Sequence, residues 1–357
     1  MATRALDEKK AIAFSERMTV VLNDTFLAFM VSIGHQTSLL DTMAGLPPST
    51  SEEIARAAKL QERYVREWLG AMVTGRIVEY DPDLKTYVLP PEHAASLTRA
   101  AGSNNVATIM LLASCIGAVE PAVVECFRRG GGVPYSEFDR FHEVMREISG
   151  DIFDSTLMEG TLPLMPGLTE RLQRGIDVLD VGCGAGRAMN LLSRAFPRSR
   201  FIGYDFSDEA LGVAREEASA WRLTNTRFVA QDVAEMTDRK RFDLVTAFST
   251  IHDQVHPRKV LAGIASALRP GGTFLMVDDR ASSHLHENLD HPIGPFLYGV
   301  STMHCMTVSL ALGGEGLGTV WGEQKARELL AEAGFVDVAV HTQPADPFNN
   351  YYVARTG

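Results

Sequence analysis

The chain has 357 residues, of which 45% are hydrophobic and 22% charged, and its formal net charge is -11. This balance is typical of a folded globular protein, and the length fits two domains better than one. It excludes collagen-like, disordered and disulfide-scaffold proteins. This net negative charge disfavours partners that are bound through phosphate, such as nucleic acids and anionic membranes.

Neither the cysteines nor the apolar stretches indicate export or a membrane. Among the four cysteines there is no Cys-x-x-Cys pair and no zinc-ribbon spacing, so we expect reduced thiols in a cytoplasmic protein. Residues 1–10 are charged and lack the apolar core of a signal peptide. The longest apolar stretch, 106–119, is shorter than the ~20 residues of a membrane span, so we expect no membrane partner.

The first clear helical signals lie between residues 50 and 73. Thr50 and Glu53 have the spacing of a capping box, with Thr50 as the N-cap. A second helix is predicted over 61–73, because apolar residues recur there at helical spacing. The residues predicted to share one face of it are Tyr64, Val65, Trp68, Leu69 and Met72.

Two β runs, 77–80 and 86–89, follow with a turn between them. Helix, helix and hairpin in this order predict a winged-helix domain within residues 1–100. Winged helices often read DNA with their second helix, but here the charges of that helix cancel and the hairpin is acidic. Phosphate would be repelled, so we interpret this domain as a dimerisation or cap module.

Residues 101–170 are predicted to form a helical linker and cap, and the pattern changes to alternating strands and helices over 171–357. Such alternation predicts an α/β fold with a doubly wound, mostly parallel sheet. The predicted strands are 177–181, 201–204, 226–230, 242–248 and 273–277, and the predicted helices are 188–195, 209–220 and 260–268.

The sharpest motif is the stretch 177–186, a buried strand that runs into a glycine turn and opens a helix. Glycines stand at 182, 184 and 186, where the backbone must turn tightly beside a ligand. A dinucleotide fingerprint would need its third glycine at 187, where this chain has Arg187. Asp180, two residues before the first glycine, suits a cationic ligand better than a pyrophosphate.

Acidic residues also end the next two strands. Asp205 lies 19 residues after Gly186, where a carboxylate can accept hydrogen bonds from both ribose hydroxyls. Asp232 follows the third strand and can accept from an adenine amino group, while Val233 and Phe206 can pack against the ring. The three motifs follow one another on successive strands and together predict a nucleoside-containing, cationic cofactor.

In these motifs the chain resembles the class I S-adenosylmethionine (SAM)-dependent methyltransferases over about residues 170–357. The resemblance extends to the turn 269–272 before the fifth strand and to a last antiparallel strand at 351–355. It implies a Rossmann-like sheet of seven strands and SAM as the cofactor. The cofactor-binding residues that it implies are Asp180, Gly182, Cys183, Gly184, Gly186, Asp205, Phe206, Asp232, Val233 and Phe248.

The whole chain is similar to a narrower, mycobacterial-type subgroup of small-molecule methyltransferases that have an N-terminal winged-helix domain. The segments 62–69 and 89–93 and a long insert at 278–322 carry this resemblance. It implies a small-molecule substrate and a homodimer in which the winged helix walls the pocket. No metal is expected.

Plant-type small-molecule O-methyltransferases share this layout and carry a base histidine in a His-Asp pair after the fourth strand. The chain has Ile251-His252-Asp253 at that place, which implies His252 as a general base. The alternative is that His252 caps the following helix or packs near the cofactor.

The insert 278–322 is rich in histidines and lies where a lid over the substrate would sit. One interpretation is a pocket in which His304 or Cys305 faces the methyl group, with His304 as a second catalytic candidate. A metal site is another, although the spacing matches no known zinc pattern. Its candidate ligands are His284, His286, His291 and Cys305. Ordinary core and surface histidines are the third. Met303, Met306 and Leu310 are predicted to mark the apolar side of a helix.

We therefore predict direct, in-line methyl transfer to a hydroxyl or thiol of a small molecule. A phenol costs about 4 kcal/mol to ionise at pH 7 and needs a positioned base, whereas a thiol costs about 2 kcal/mol. One alternative is a SAM-sensing winged-helix regulator without catalysis, which would need a basic DNA-reading surface. Another is a macromolecular methyltransferase, which would usually carry an amide clamp where this chain has residues 248–251.

Overall fold

The computed structural model describes residues 6–356. The chain divides into two compact units, Met1–Ser114 and Cys115–Gly357. The division falls inside the segment 101–170 that the sequence predicts as linker and cap, so the predicted three-part boundaries stay a prediction.

The first unit consists of helices and a two-stranded hairpin. Its elements are α1 (Glu8–Gln36), α2 (Leu39–Ala44), α3 (Ser51–Ala58), α4 (Glu62–Thr74), β1 (Glu79–Asp81), β2 (Thr86–Val88), α5 (Pro91–Leu97) and most of α6 (Val106–Gly117), within which the boundary falls. The hairpin is antiparallel, with Tyr80 opposite Tyr87. The predicted order of helix, helix and hairpin is thus present.

Local sequence accounts for the start of α3 and the buried face of α4. The Thr50 hydroxyl accepts from the backbone N–H of Glu53, and the Glu53 carboxylate accepts from that of Thr50, which is the predicted capping box. In α4 the buried residues are Val65, Trp68, Leu69 and Met72. Tyr64 is 80% exposed, so its predicted place on that face was wrong. The buried set follows the spacing i, i+3, i+4 and i+7, and Tyr64 lies ~100° away from Val65 around the helix.

Helix α1 is a feature that the sequence analysis overlooked. It runs for 29 residues and contains an 18-residue window with a mean hydropathy of 1.3, of which 22% is buried. By length and composition alone, α1 is apolar enough to cross a membrane. Charged residues such as Glu16, Arg17 and Asp24 interrupt the sequence, which is why 106–119 stood out instead.

The second unit carries the sheet. Its remaining elements are α7 (Glu120–Arg129), α8 (Phe141–Thr156), α9 (Leu168–Arg174), β3 (Asp177–Val181), α10 (Arg187–Ala195), β4 (Arg200–Asp205), α11 (Asp208–Ala220), β5 (Thr226–Ala230), β6 (Phe242–Phe248), α12 (Pro257–Ala267), β7 (Leu268–Asp279), α13 (Gly294–Val300), α14 (Met306–Ala311), α15 (Gly322–Glu332), β8 (Phe335–Gln343) and β9 (Asp346–Thr356).

The strands form one seven-stranded sheet in the order β5-β4-β3-β6-β7-β9-β8. The first five strands in this order are parallel, and β9 is antiparallel to both β7 and β8. This confirms the predicted doubly wound, mostly parallel α/β sheet. The chain winds outward from β3 in one direction and from β6 in the other. Ligands in such sheets bind at the carboxyl edge near this switch point.

Both faces of the sheet are covered. Successive side chains of β3 point to opposite faces of the sheet. Leu179 and Val181 pack in one hydrophobic core, and Val178 packs in the core on the other face. The predicted turn 269–272 lies inside β7 rather than before it. Phe242 pairs with Leu268 and Leu244 with Thr273, so these residues bulge out of the ladder.

Helices α1 and α4 approach each other closely at Gly34. A Cβ on Gly34 would lie 2.6 Å from the Trp68 ring, whereas nothing lies within 4 Å of a Cβ on Gly70. We expect Gly34→Ala to lower the free energy of unfolding by about 1–3 kcal/mol through overpacking. Gly70→Ala should raise it by about 0.5–1 kcal/mol, because alanine favours an exposed helix.

Urea unfolding of the full chain measures both variants, and Gly70→Ala is the matched control. An equal rise in the free energy of unfolding for the two variants would mean that α1 and α4 do not approach as closely as described.

Candidate active site

The three glycines of the turn after β3 are required for different reasons. Gly182, Gly184 and Gly186 all have positive φ, at 69°, 51° and 69°. A Cβ on Gly182 would overlap Thr250, and one on Gly186 would overlap Phe228. A Cβ on Gly184 would meet nothing within 4 Å, so this side of the turn is open. The turn therefore offers bare backbone to a ligand at Gly184.

Two buried carboxylates flank this turn. Gly184 donates its backbone N–H to the Asp205 carboxylate at 2.8 Å, and the Thr246 hydroxyl donates to that of Asp180 at 2.6 Å. Burial raises the pKa of Asp180 to about 7, the Thr246 hydrogen bond opposes this, and the Asp205 charge adds to it. In the described part of the chain neither carboxylate pairs with Lys or Arg, and the bonds they accept come from a hydroxyl and backbone N–H groups. The chemistry of the site therefore suits a cation.

Other predicted cofactor residues lie around the same edge. Asp205 pairs with Ala230 across β4 and β5, which places Asp232 just beyond the neighbouring strand end. The Asp232 carboxylate accepts from the backbone N–H of Ala234 at 2.9 Å and is exposed. Val233 is buried in the core.

Aromatic and thiol side chains complete the predicted set. Phe206 is 62% exposed, and Phe248 at the end of β6 packs against Phe153 with ring centroids 4.8 Å apart. The Cys183 thiol faces Gly203 below the turn, so Cys183 offers a ligand only its backbone. These residues can hold the sugar and base of a nucleoside.

The predicted base His252 lies in a turn of 3-10 helix that follows β6, and it is 4% exposed. Its Nδ1 lies 2.7 Å from Oδ1 of Asp278, at the end of the adjacent strand β7. The same oxygen accepts from Trp321 Nε1 at 3.2 Å and from the backbone N–H of Asp279 at 2.9 Å. His252 therefore belongs to a buried His–Asp pair.

The partner of His252 was missed by the sequence analysis, which paired it with its neighbour Asp253. A signal was available, because Asp278 directly follows a buried β run adjacent to β6 and carboxyl ends of parallel strands meet at one edge. The half-buried Asp253 side chain instead accepts from Gln254 at 3.3 Å, and burial raises the pKa of Asp253 to about 6.

The charge of His252 depends on this pairing. Burial, the largest influence, lowers the pKa of the imidazole, but the charges of Asp278 and Cys305 outweigh it. The pKa of His252 is therefore held well above its ordinary value. An imidazole in this state holds a proton strongly once it has taken it.

His304 lies in a turn of π-helix, Ser301–Cys305, within the insert and is 1% exposed. Its ring stacks on Phe141 with centroids 3.7 Å apart, and its Nδ1 lies 3.6 Å from the Cys305 sulfur. Burial, then the charge of His252, lowers the pKa of His304 to about 3. A neutral imidazole of this kind is a weak base, so the geometry favours a packing or binding role for His304.

The buried face of this segment differs from the predicted one. Met303, Met306 and Leu310 are only half-buried, and the prediction that they mark the packed side was wrong. The buried residues of the segment 301–310 are Ser301, His304, Cys305, Thr307, Val308 and Ser309. This side faces aromatic rings and the His252 turn rather than the hydrophobic core, so polar residues lie inside.

The four residues predicted as candidate metal ligands do not lie together. His284 and His286 are exposed, His291 contacts the carbonyl of Arg280 at 2.9 Å, and Cys305 lies in the buried cluster, so they do not form one ligand set. Within residues 6–356, the potential metal-ligand atoms that all lie within 4.8 Å of one another belong to His252, Asp278 and Asp279. The hydrogen bond between His252 and Asp278 accounts for the approach of these two residues, and Asp279 follows Asp278 directly in the chain.

Comparison with known proteins identifies both units. Residues 25–99 match the model of the Rv2258c-like winged HTH domain, and residues 172–342 match that of a methyltransferase domain. A stretch of 102 residues is 34% identical to the ubiquinone biosynthesis O-methyltransferase of Coxiella burnetii, covering 28% of this chain and 42% of that protein. The chain thus spans less than half the length of the curated relatives it matches.

Two solved structures share the fold. Human N-acetylserotonin methyltransferase in complex with SAM has a TM-score of 0.71 at 14% identity and covers 99% of both chains. An O-methyltransferase from neocarzinostatin biosynthesis, solved with SAM and 2-hydroxy-5-methyl naphthoic acid, has a TM-score of 0.64 at 14% identity, covering 93% of this chain and 96% of that chain. The chain therefore carries an Rv2258c-like winged HTH domain over residues 25–99 and a methyltransferase domain over residues 172–342.

Proposed function

We propose that this chain is an enzyme that transfers a methyl group from SAM to a phenolic hydroxyl of a small molecule, with His252 as the general base. The observation that carries the proposal is the buried pair of His252 and Asp278, 2.7 Å apart at the carboxyl edge of the sheet. The match of residues 172–342 to a methyltransferase domain and the buried carboxylates beside the glycine turn support the same activity.

SAM fits the residues of the turn by charge and by shape. Asp180 is suited to the amino group of its methionine part and Asp205 to its ribose hydroxyls, and the open side of Gly184 allows close approach. Asp232, Val233 and Phe206 are suited to the adenine, with Phe248 and the backbone of Gly182, Cys183 and Gly186 completing the site. When bound, SAM supplies a methyl group on a positively charged sulfur, which is a good leaving group.

His252 performs the proton transfer in this proposal. Its Nδ1–H donates to Asp278, which leaves the lone pair of Nε2 to accept the proton of the acceptor hydroxyl. Asp278 orients the ring and stabilises the imidazolium that forms. Ionising a phenol at pH 7 costs about 4 kcal/mol, so the reaction needs neutral His252 to take the proton inside the site as the methyl group is transferred.

A thiol acceptor is the second candidate within the same reaction. A thiol costs only about 2 kcal/mol to ionise, so it needs little from a base. The buried His252–Asp278 pair favours the hydroxyl, because a costly buried pair is expected where proton removal is difficult. We infer that the insert 278–322 covers the acceptor as a lid, with His304 beside it.

A DNA-binding regulator is the second candidate from another class, and the charges of α4 argue against it. Arg63 forms an ion pair with Glu67, and Arg66 forms one with Glu62 at 3.3 Å. Arginines that would contact phosphate are thus already paired on their own helix. A cytoplasmic small-molecule enzyme agrees better with these charges and with the four free cysteines.

We also infer that the chain forms a homodimer through α1. Apolar side chains are exposed along the first five turns of this helix, including Phe14, Val21 and Phe26. A contiguous exposed apolar surface on a folded protein marks an interface or a membrane contact. A second copy of α1 would cover it without requiring lipid.

The reaction is tested first with a matched panel of small phenols and thiols. We expect His252→Ala to lower kcat/KM for phenols by about 100- to 10,000-fold, because the base is lost, and for thiols by less than about tenfold. Release of S-adenosylhomocysteine (SAH) measures turnover. His256→Ala, at an exposed histidine nearby, is the control and should change neither. Equal losses for both acceptor types would contradict the proposed base.

The pH profile tests the role of Asp278. Because the base must be neutral, kcat/KM for a phenol should rise with pH as His252⁺ loses its proton, at a pH above the ordinary histidine value of about 6.5. Asp278→Asn removes the charge that raises the pKa of His252, so this limb should move to lower pH. A limb that stays in place would mean that another group titrates.

The dimer is tested by light scattering on the full chain. Phe26 is exposed in a single chain, so Phe26→Asp should leave the fold intact but convert the dimer to a monomer. Tyr64→Asp, at a still more exposed aromatic residue on α4, should leave the dimer unchanged. A monomeric unmodified chain, or one that floats with liposomes, would refute this assembly.

A further inference from the structure

Trp321 is a buried side chain that contacts the His252–Asp278 pair from the far end of the insert. It closes a short 3-10 turn, Thr319–Trp321, directly before α15, and is 5% exposed. Its Nε1–H donates to Oδ1 of Asp278 at 3.2 Å, the oxygen that also accepts from the His252 ring. The indole and the carboxylate are 43 residues apart along the chain. A distant segment therefore completes the pair to which the proposed reaction assigns proton removal.

The Asp278 carboxylate is held through one of its two oxygens. Oδ1 accepts from His252, from Trp321 and from the backbone N–H of Asp279, whereas Oδ2 is buried with no partner among the described residues. A buried indole N–H needs an acceptor, but a carboxylate offers about four acceptor positions, so the donors could be divided between the two oxygens. Three donors on one atom fix it from three directions. The arrangement therefore aligns Oδ1 with the histidine ring at the expense of Oδ2.

The turn that carries the indole is itself fixed. The Thr319 hydroxyl donates to the Leu297 carbonyl of α13 at 2.7 Å. Immediately before the turn, the backbone N–H of Gly318 donates to the carbonyl oxygen of His252 at 3.0 Å. One short segment thus holds the base by its backbone and the carboxylate partner of the base by a side chain.

The indole also affects the charge that the base experiences. Other titratable groups act on the pair or are acted on by it, namely Asp253 of the same turn, Asp279 of β7, His304 and Cys305 of the insert and Tyr352 of β9. Trp321 differs from them because it donates a hydrogen bond without titrating. A donor to a carboxylate stabilises its negative charge and weakens the effect of that charge on a neighbouring cation. The indole therefore limits how far Asp278 raises the pKa of His252.

We propose that Trp321 is a positioning residue for the base, whose indole N–H holds the Asp278 carboxylate in the orientation that aims His252 at the acceptor hydroxyl. The inference rests on the proposed function and deepens it, since it gives the insert a part in proton removal. Without the N–H the carboxylate is free to turn, and a base that has lost its fixed direction removes a proton more slowly. Trp321 packs in the hydrophobic core, so the loss should appear in kcat rather than in KM.

Trp321→Phe tests this, because it keeps an aromatic ring in the core and removes the N–H. We expect it to lower kcat for phenols by about 5- to 50-fold, with KM changed by less than about twofold. Thiols should change by less than about twofold, because they need little from a base. The rising limb of the phenol pH profile should move to higher pH, opposite to its shift in Asp278→Asn, because more of the carboxylate charge acts on His252. Release of SAH measures all of these.

Thr319→Val is the matched control. It removes a different buried hydrogen bond of the same turn, the one from Thr319 to the Leu297 carbonyl, which does not reach the pair. Urea unfolding should show a comparable loss of stability for the two variants. In Thr319→Val, however, phenols and thiols should change alike and the limb should stay in place.

Two results would overturn the inference alone. Equal slowing of phenols and thiols by Trp321→Phe would leave the indole a packing role, and a limb that stays in place or moves to lower pH would show that its N–H does not act on the pair. NMR of the full chain with isotope-labelled histidine, assigned through His252→Ala, reads the ring without an acceptor. Trp321→Phe should raise the pKa of His252 there, and Thr319→Val should not. If the unmodified chain methylated no acceptor, the proposed function would fall, whereas this titration would still decide whether Trp321 acts on the pair.

Discussion

The Asp278 carboxylate is the interaction on which the site depends. One of its oxygens accepts three hydrogen bonds, from the His252 ring, from Trp321 Nε1 and from the backbone N–H of Asp279. These donors come from the turn after β6, from the end of the insert and from β7, so a single buried atom joins three separate parts of the chain. Its other oxygen is also buried and has no partner among the described residues. A buried carboxylate is costly unless it is paired, which explains why His252 is held at this position.

Negative charge in the site can stabilise positive charge before and after the proposed methyl transfer. A positive sulfonium and a neutral hydroxyl become a neutral thioether, a methyl ether and a proton on His252. The positive charge therefore moves from the donor to the imidazole, over a short path inside the site. Asp180 and Asp205 lie at one end of this path, and Asp278 and Asp253 lie toward the other. A site that stabilises positive charge at both ends does not have to reorganise when the charge moves, which is the advantage of a preorganised environment.

The sequence predicted the elements and missed the connections between them. Strands β3, β5 and β6 have the predicted bounds, because each is a short run rich in apolar, mostly β-branched or aromatic residues that ends in a recognisable turn. The capping box of α3 was predictable because both partners lie three residues apart. The partner of His252 lies 26 residues away along the chain, and no local pattern ties it to the histidine. Helix α1 was overlooked because its apolar character is spread over 29 residues rather than concentrated in one run.

The segment 301–308 shows why local rules fail where function is expected. Its apolar spacing pointed to Met303 and Met306 as the packed side, yet His304 and Cys305 are the residues inside. Helical periodicity predicts the side that faces a hydrophobic core, and this segment faces aromatic rings and a buried histidine instead. Burying an imidazole whose Nε2 has no partner among the described residues costs stability. Natural sequences keep such costs mainly at sites of binding or chemistry. The burial of polar residues in this segment, where apolar ones were expected, is thus an independent argument that the acceptor binds beside it.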